Sequence, residues 1–374
     1  MKRICIVAEF YPYKKEQLFT FVQQLAYSLS NENIECSVVA PQSITKILVG
    51  HALAKPYIVH DFSPEKKDIK VVRPRYISMS NTTSKVIQKC VDEMTINAIR
   101  RGIKSLGSVD AIYCYFWHVG LMTAQAIRNT GIPIFVQASE CELTINHHLK
   151  TEYNCNRIKG VVCASGKNYR ETLNAGLASG EKMTTIVNGY RSDEFYKIDK
   201  KEARAQLGIP DDRFVVCFVG GFIERKGIHH LINVLDDLDD VFSIFVGKGS
   251  ITPTCHNLLF AGVVPHNHIV TYLNAADIFV LPTQAEGCCN AIIEALACGL
   301  PVISSNKSFN DEILDDNCSI RIDESDEKAL KNAIIELRDD KRKRIAMSEA
   351  ACKKAEGLTI EKRAKAIKRF VFGE

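Results

Sequence analysis

Residues 281–302 read LPTQAEGCCNAIIEALACGLPV, and this segment decides the fold prediction. An apolar run over residues 277–281 leads into it and predicts a buried strand. From Asn290 onward, apolar residues recur at helical spacing until Gly299 and the proline after it end the pattern. Residues 302–304 then begin another strand. The segment therefore predicts a strand–helix–strand unit of a parallel α/β sheet.

Two carboxylates have fixed places in this unit, because Glu286 lies in the loop and Glu294 lies about one turn into the helix. Ligands of open α/β sheets bind outside the carboxyl ends of the strands. The unpaired N–H groups at a helix start bind phosphate or sugar oxygens, and a carboxylate accepts two hydrogen bonds from a vicinal diol such as that of ribose. We expect these N–H groups in residues Gly287, Cys288, Cys289 and Asn290.

The order of Glu286-Gly287, Asn290, Glu294 and then Ala-x-Ala-x-Gly-x-Pro-Val resembles the E-x7-E block of the family 4 retaining glycosyltransferases. Those enzymes have the GT-B fold, in which two Rossmann-like parallel-sheet domains face a central cleft. They use nucleotide-sugar donors, and the expected type is that of bacterial cell-surface polysaccharide synthesis. The alternative interpretation is an ordinary helix with solvated glutamates.

Length and composition are those of an ordinary globular protein. The 374 residues suit two domains, and 46% of them are hydrophobic. No apolar run approaches the roughly 18 residues of a membrane span. The 14 cysteines are scattered without C-x-x-C, which predicts small buried side chains in a reducing cytoplasm.

Residues 84–107 predict an amphipathic helix with a basic polar face. One interpretation is a solvated helix face. The other is a surface that binds anionic lipid headgroups while a lipid-linked acceptor is used, which would place the protein at the inner face of the cell membrane. Nucleic-acid binding is not expected, since no recognised motif appears. The basic residues are Lys85, Lys89, Arg100, Arg101 and Lys104.

The chain divides into two predicted α/β domains. Residues 1–195 are expected to form a Rossmann-like domain that binds the acceptor, and residues 196–357 one that binds the nucleotide sugar. By resemblance, the terminal helix over residues 358–374 packs back onto the first domain. Residues 42–80 are predicted to be irregular, and residues 251–257 a shortened helix.

The diphosphate leaving group needs nearby cations or N–H dipoles. The family pattern is G-R-x-x-x-x-K-G, and Lys226-Gly227 match its K-G. Gly221 stands at the position of the arginine, so Arg225 is the candidate for the missing charge, although adjacent side chains in an extended loop point apart. Gly220 and Gly221 are assigned to donor binding. The alternative is a solvated turn.

The resemblance also implies roles for the remaining donor-site residues. Glu294 is assigned to the ribose diol, and Glu286 to the transferred sugar or its phosphate. Gly247-x-Gly249 resembles the G-x-G turn of the family, and by resemblance residues 263–266, which include Val264 and His266, are expected near the nucleotide base.

The first domain carries fewer signals. The string QASECE resembles an A-S-G-E-S-like string of one branch, which makes Glu140 a candidate contact for the donor sugar or the acceptor. His118 follows an aromatic run at a predicted strand end, with a structural role as the alternative. Lys14 or Lys15 is a candidate phosphate contact, or else a solvated lysine. No D-x-D motif accompanies the pattern, so neither an essential metal nor a cofactor is expected.

The resulting hypothesis is a retaining hexosyltransferase that moves a hexose-type sugar from UDP, in preference to GDP, to a hydroxyl of a glycan or lipid-linked acceptor. The family's mechanism is front-face substitution, in which the leaving diphosphate takes the acceptor proton. One alternative is a non-catalytic GT-B accessory or binding subunit, because Gly221 and Ser139-Glu140 depart from the family pattern. The other is a sugar-nucleotide epimerase.

Overall fold

The computed structural model describes residues 1–14, 16, 18–79 and 84–374, so Lys15 lies outside the described residues. The chain forms two compact units. Unit 1 comprises residues 1–186 and 364–374, and unit 2 comprises residues 187–363. The predicted boundary between residues 195 and 196 thus lies inside unit 2.

Unit 1 is built on an eight-stranded sheet with a small two-stranded ladder beside it. The strands are β1 (Lys2–Val7), β2 (Ile34–Val39), β3 (Gln42–Ser43), β4 (Ile58–Phe62), β5 (Asp68–Val72), β6 (Arg75–Tyr76), β7 (Ala111–Tyr115), β8 (Ile134–Ala138), β9 (Ile158–Cys163) and β10 (Met183–Thr185). The sheet order is β10-β9-β8-β7-β1-β2-β5-β4, and every neighbouring pair is parallel except β4–β5. β3 pairs with β6 in the ladder.

Both faces of the central strands of unit 1 are covered. Alternate residues of a strand point to opposite faces, so Ile4 and Ile6 of β1 enter one apolar core while Cys5 and Val7 enter the other. Strands buried on both faces are mostly apolar, which is why β7 is a continuous apolar run and β8 is interrupted only by the buried Gln137. The helices are α1 (Thr20–Asn31), α2 (Ile44–Leu48), α3 (Lys85–Leu106), α4 (Trp117–Ala126), α5 (Glu152–Asn156) and α6 (Gly166–Asn174).

The prediction that residues 42–80 are irregular is wrong. This stretch contains α2 and four strands, and β5 pairs in parallel with β2 while β4 pairs antiparallel with β5. The side chains of β4 alternate only between half-buried and exposed, so the strand shows no clear apolar period. Two-residue strands such as β3 and β6 are too short to show any period.

Unit 2 is an all-parallel six-stranded sheet in the order β13-β12-β11-β14-β15-β16. Its strands are β11 (Phe214–Val219), β12 (Val241–Val246), β13 (Leu258–Gly262), β14 (Ile278–Leu281), β15 (Val302–Ser305) and β16 (Ser319–Ile322). The helices are α7 (Lys200–Leu207), α8 (Ile228–Asp236), α9 (Ile269–Ala275), α10 (Asn290–Ala297), α11 (Glu327–Asp339), α12 (Lys341–Ala355) and α13 (Ile360–Phe372), of which the part from Ala364 onward belongs to unit 1.

The strand–helix–strand prediction for residues 281–302 is confirmed by β14, α10 and β15. Phe279 of β14 pairs with Val302 of β15, and Ile292, Ile293 and Leu296 of α10 are buried in the unit 2 core.

The predicted helix over residues 251–257 is wrong, because the structure has no regular element there. Pro253 lies at its centre and lacks the N–H that a helix interior needs.

The terminal helix predicted over residues 358–374 is present as α13, which spans Ile360–Phe372. Ala364 and Ile367 enter a core of unit 1, and the ring centroids of Phe370 and Phe135 lie 5.8 Å apart. None of the helices among the described residues is both long and apolar enough to cross a membrane.

Candidate functional site

The unit 2 sheet has a switch point at β11. The chain runs from β11 to β12 on one side and later returns to β14 on the other side. At such a point the loops after the two central strands diverge and leave space for a ligand outside their carboxyl ends. Here the loops over residues 220–227 and 282–289 meet.

The loop after β11 ends in a tight turn that places its lysine. Residues Glu224–Lys226 form a 3-10 turn, and Gly227 follows with φ of 69° before α8 begins. A Cβ atom at Gly227 would lie 2.0 Å from the Pro282 carbonyl oxygen. Only glycine therefore allows the two loops to approach this closely, which explains the Gly of the Lys226-Gly227 pair.

Lys226 and Glu286 form an ion pair at this junction. The Lys226 Nζ atom lies 2.5 Å from Glu286 Oε1, and the Thr283 hydroxyl donates to the same oxygen at 2.9 Å. Burial lowers the pKa of Lys226, but the nearby Cys289 and Glu286 raise it overall. Cys289 is a neutral thiol at pH 7, so Glu286 supplies the stabilising charge. An ammonium has three donors, and the pair with Glu286 uses one of them.

Arg225 reaches the same carboxylate. Its guanidinium donates to the Ala285 carbonyl oxygen and lies 3.5 Å from Glu286 Oε1. The expectation that Arg225 and Lys226 point apart is therefore wrong. That rule holds for extended chain, whereas these residues lie in a 3-10 turn.

The predicted glycines hold two neighbouring loops together. Gly220 N–H donates to the Val246 carbonyl at 3.0 Å, and a Cβ atom at Gly247 would lie 1.9 Å from the Gly220 carbonyl oxygen. A Cβ atom at Gly249 would lie 2.1 Å from the Phe222 carbonyl oxygen. Gly247-x-Gly249 thus permits close backbone packing beside the loop that carries Lys226.

Helix α10 begins at Asn290, and within the described structure the preceding Cys289 makes no side-chain capping bond. The first N–H groups of a helix have no partner inside the helix. The Asn290 side chain accepts a hydrogen bond from Asn188 Nδ2 at 2.8 Å, a contact that the sequence did not predict. Burial raises the pKa of the Cys288 and Cys289 thiols to about 12, so neither is a nucleophile at neutral pH.

Glu294 lies on α10 and faces the loop after β13. Its Oε1 atom lies 3.5 Å from Nε2 of His266, a residue that the resemblance placed near the nucleotide base without a role of its own. Val264 lies in the same loop and is half-buried against the unit 2 core.

Unit 1 has its own cavity of about 540 Å³ at the carboxyl ends of β1 and β7. His118 lies in the first turn of α4, which corrects the prediction that it ends a strand. Its Nε2 atom lies 2.5 Å from Glu9 Oε1. Burial lowers the pKa of His118, but the hydrogen bond and the charge of Glu9 raise it overall. The polar lining residues are Glu9, Lys46, Tyr76, Gln88, Asp92, Thr95, His118, Thr144 and Asn146.

Asp92 of α3 organises the opposite wall of this cavity and was missed by the sequence analysis. It is buried, and it accepts hydrogen bonds from Gln88 at 3.0 Å and Asn146 at 2.7 Å. The Nε2 atom of His148 lies 3.0 Å from Asp92 Oδ2. A polar residue on the inner face of a helix was the available signal.

Glu140 caps a helix. One oxygen accepts from the Trp117 N–H at 2.6 Å, and the other accepts from the Ser139 N–H at 2.8 Å. Burial raises the pKa of Glu140. These bonds orient the start of α4, and Glu140 is not among the residues that line the cavity.

No group of three or more His, Cys, Asp or Glu side chains in the described parts of the chain is arranged to hold a metal ion. The expectation that catalysis needs no metal ion stays a prediction.

Of the basic residues predicted for the face of α3, two make structural contacts: Arg100 donates to the Ala126 carbonyl at 2.9 Å and Arg101 to the Arg75 carbonyl at 2.7 Å.

Comparison with known proteins finds a family match within unit 2. Residues 199–354 match the family model described as Glycosyl transferases group 1. A stretch of 110 residues is 39% identical to TuaC of Bacillus subtilis, named as a teichuronic acid biosynthesis glycosyltransferase, and covers 29% of this chain and 28% of TuaC. The chain spans from about a quarter to about half the length of the first curated relatives that it matches.

Solved structures resemble the whole chain. Sucrose-phosphate synthase from Thermosynechococcus elongatus matches with a TM-score of 0.77 and 18% identity, over 99% of this chain and 98% of the synthase. HepE of Anabaena in complex with UDP matches with a TM-score of 0.74 and 16% identity, over 99% of both chains. The predicted GT-B fold is confirmed. Residues 199–354 thus match the model of the group 1 glycosyl transferases, and the chain as a whole has the GT-B fold.

Proposed function

We propose that the protein is a retaining glycosyltransferase of the family 4 type. It moves a hexose-type sugar from a nucleotide-diphosphate sugar to a hydroxyl of a glycan or lipid-linked acceptor in cell-surface polysaccharide synthesis. The single observation that carries the proposal is the convergence of Lys226 and Arg225 on Glu286 at the switch point of unit 2. This convergence lies inside the residues that match the group 1 family model.

The donor binds at the carboxyl edge of the unit 2 sheet. Lys226 keeps two donors for the diphosphate while Glu286 fixes its position. The N–H groups that open α10 bind sugar hydroxyls or the β-phosphate, and Glu294 accepts from the ribose hydroxyls. UDP is preferred over GDP in this proposal, and the UDP complex of the structural neighbour HepE supports that choice.

In the transfer step, the bond between the sugar C1 and the β-phosphate oxygen breaks. The acceptor oxygen attacks C1 on the same face, and its proton passes to the leaving diphosphate. Lys226 and Arg225 stabilise the negative charge that develops on this leaving group. The configuration at C1 is retained.

The acceptor binds in the unit 1 cavity. Its wall combines the Glu9–His118 pair and the Asp92–Asn146 pair with the aromatic rings of Phe10 and Phe19. Carboxylates and amides hydrogen-bond sugar hydroxyls, and aromatic rings pack against the apolar face of a sugar ring.

Unit 1 also carries the proposed membrane contact. Leu48 and Val49 at the end of α2 expose 78% and 61% of their surface. Val86, beside Lys85 at the start of α3, exposes 73%. Exposed apolar side chains next to lysines are typical of surfaces that bind anionic lipid headgroups.

Donor hydrolysis tests the function directly. The purified full-length protein is incubated with UDP- and GDP-sugars, and release of the nucleoside diphosphate is measured for the wild type, Lys226→Ala and Glu294→Ala. We expect slow hydrolysis of one donor, lost in both variants, with the first-formed sugar keeping the α or β configuration of the donor by NMR.

Other outcomes separate the alternatives. Tight nucleotide binding without turnover of any sugar would favour a binding subunit. Conversion of the sugar nucleotide to its epimer, with no acceptor added, would favour an epimerase.

A further inference from the structure

We propose that His266 is a positioning residue that holds the Glu294 carboxylate in place to bind the ribose hydroxyls of the nucleotide. This inference rests on the proposed function and assigns a specific role to a residue that the resemblance placed only near the nucleotide base. It is carried by a chain of three side chains, Glu194, His266 and Glu294.

The imidazole of His266 lies between two carboxylates. Its Nδ1 atom is 3.4 Å from Glu194 Oε2, and its Nε2 atom is 3.5 Å from Glu294 Oε1. The ring packs edge-on against Phe195, with 5.2 Å between centroids, and Phe195 is buried. The aromatic contact fixes the plane of the imidazole ring, so that Nδ1 faces the Glu194 carboxylate and Nε2 faces the Glu294 carboxylate.

The charge of this arrangement requires an imidazolium. A neutral imidazole carries an N–H on one nitrogen only and would turn a lone pair toward one of the two carboxylates, whereas an imidazolium presents a positive N–H group to both. Burial lowers the pKa of His266, but Glu194 and Glu294 more than offset this and raise it to about 10. His266 is therefore positively charged at neutral pH.

Glu194 anchors the chain at its far end. Its Oε1 atom lies 3.2 Å from the Arg191 guanidinium. Its Oε2 atom is buried and accepts no hydrogen bond from the described residues, so the imidazolium of His266 supplies the balancing charge. His266 is thus held on one side by a fixed carboxylate and directs the other side of its ring to Glu294.

The consequence for binding is preorganisation. A glutamate side chain that is free to rotate loses conformational entropy when it binds a diol. His266 removes part of that cost before the nucleotide arrives. Loss of the pairing is expected to weaken binding by about tenfold, and only for ligands that carry the ribose hydroxyls.

Two nucleotides and one substitution test this coupling. The dissociation constants of UDP and 2′,3′-dideoxy-UDP are measured by calorimetry for the full-length wild type and His266→Gln, with GDP and its dideoxy analogue used instead if GDP binds more tightly. We expect His266→Gln to weaken the binding of UDP by about tenfold and the binding of dideoxy-UDP by less than about twofold. Glu194→Gln should also weaken the binding of UDP more than that of dideoxy-UDP, but by a smaller factor than His266→Gln does.

Equal losses for both nucleotides, or no loss for either, would overturn the positioning role. His268→Gln is the matched control, because His268 lies exposed in the same turn and should leave both constants unchanged. Circular dichroism shows whether His266→Gln is folded, and the Glu194→Gln result decides the matter if it is not. If the wild type binds neither UDP nor GDP, the proposed function fails together with the positioning role. If the wild type binds a nucleotide and the variants show no selectivity, only the positioning role fails.

Discussion

The Lys226 ammonium lies 2.5 Å from the Glu286 carboxylate, although the two residues are 60 positions apart in the chain. The lysine belongs to the loop after β11, and the glutamate to the loop after β14. The pair is a direct link between the two motifs that the sequence assigned to the donor. The predicted diphosphate cation therefore forms its ion pair with the first glutamate of the E-x7-E block.

Replacement of Lys226 by alanine should reduce turnover by about 100-fold or more, because a charged group that stabilises the leaving group is lost. It should also destabilise unit 2, because the buried Glu286 loses the ammonium at 2.5 Å and keeps Arg225 at 3.5 Å. Initial rates of donor cleavage and thermal unfolding measure the two effects. Lys331→Ala, which removes a lysine of α11 from a surface ion pair with Asp237, should leave donor cleavage unchanged and thermal unfolding nearly so. Unchanged cleavage in Lys226→Ala would contradict the assigned role.

Gly227→Ala should destabilise the protein more than Gly208→Ala does. Both glycines have positive φ, 69° and 68°, so each substitution carries about 1–2 kcal/mol of backbone strain. Only at Gly227 would the added Cβ atom meet a backbone atom, and this should add about 1–3 kcal/mol. Urea unfolding of the two variants measures the difference. Equal losses would show that the loops move apart without cost.

The stability contributed by His266 should depend on pH. Its folded-state pKa of about 10 lies above the ordinary value of 6.5. A raised pKa means that the contribution is complete below about pH 6.5 and is lost as the pH rises through about 10. The Tm difference between wild type and His266→Gln should therefore be largest near pH 6 and shrink toward pH 10. A difference that grows with pH would contradict the ion pairs.

His118→Gln should impair acceptor use and spare the donor. Its pair with Glu9 lines the unit 1 cavity, whereas the donor site is built from unit 2. We expect transfer to acceptor to fall by about tenfold or more, as for loss of a charged hydrogen-bonding group in a site, while the rate of donor hydrolysis stays within about twofold. If both activities fall together, the cavity is not an independent acceptor site.

Vesicle binding tests the membrane contact. Lys85→Gln with Lys89→Gln should weaken binding to phosphatidylglycerol-containing vesicles by about fivefold per lysine, since each such charge contributes about 1 kcal/mol. Leu48→Gln should weaken binding at high salt as well, because insertion of an apolar side chain is not screened. Arg100→Gln is the control, as that side chain already donates to the Ala126 carbonyl. If all these variants sediment with vesicles to the same extent as the wild type, the proposed membrane contact is refuted.

The sequence by itself determined the buried strands and the helix that follows β14. Continuous apolar runs must be covered on both faces, and a helical apolar period must face a core, so residues 277–304 allowed one local structure. Lys226 and Glu294 were also predictable as candidates, because their positions in a strand–loop–helix pattern place them at the carboxyl edge of the sheet.

Only the tertiary structure decided which side chains meet. The direction of Arg225 depended on a 3-10 turn that no apolar period records. The pairs Asn188–Asn290, Asp92–Asn146 and Glu194–His266 join residues that are far apart in the chain. The physical reason is that such contacts follow from strand order, register and the close approach of backbones at glycine, and these are set by the packing of the whole unit.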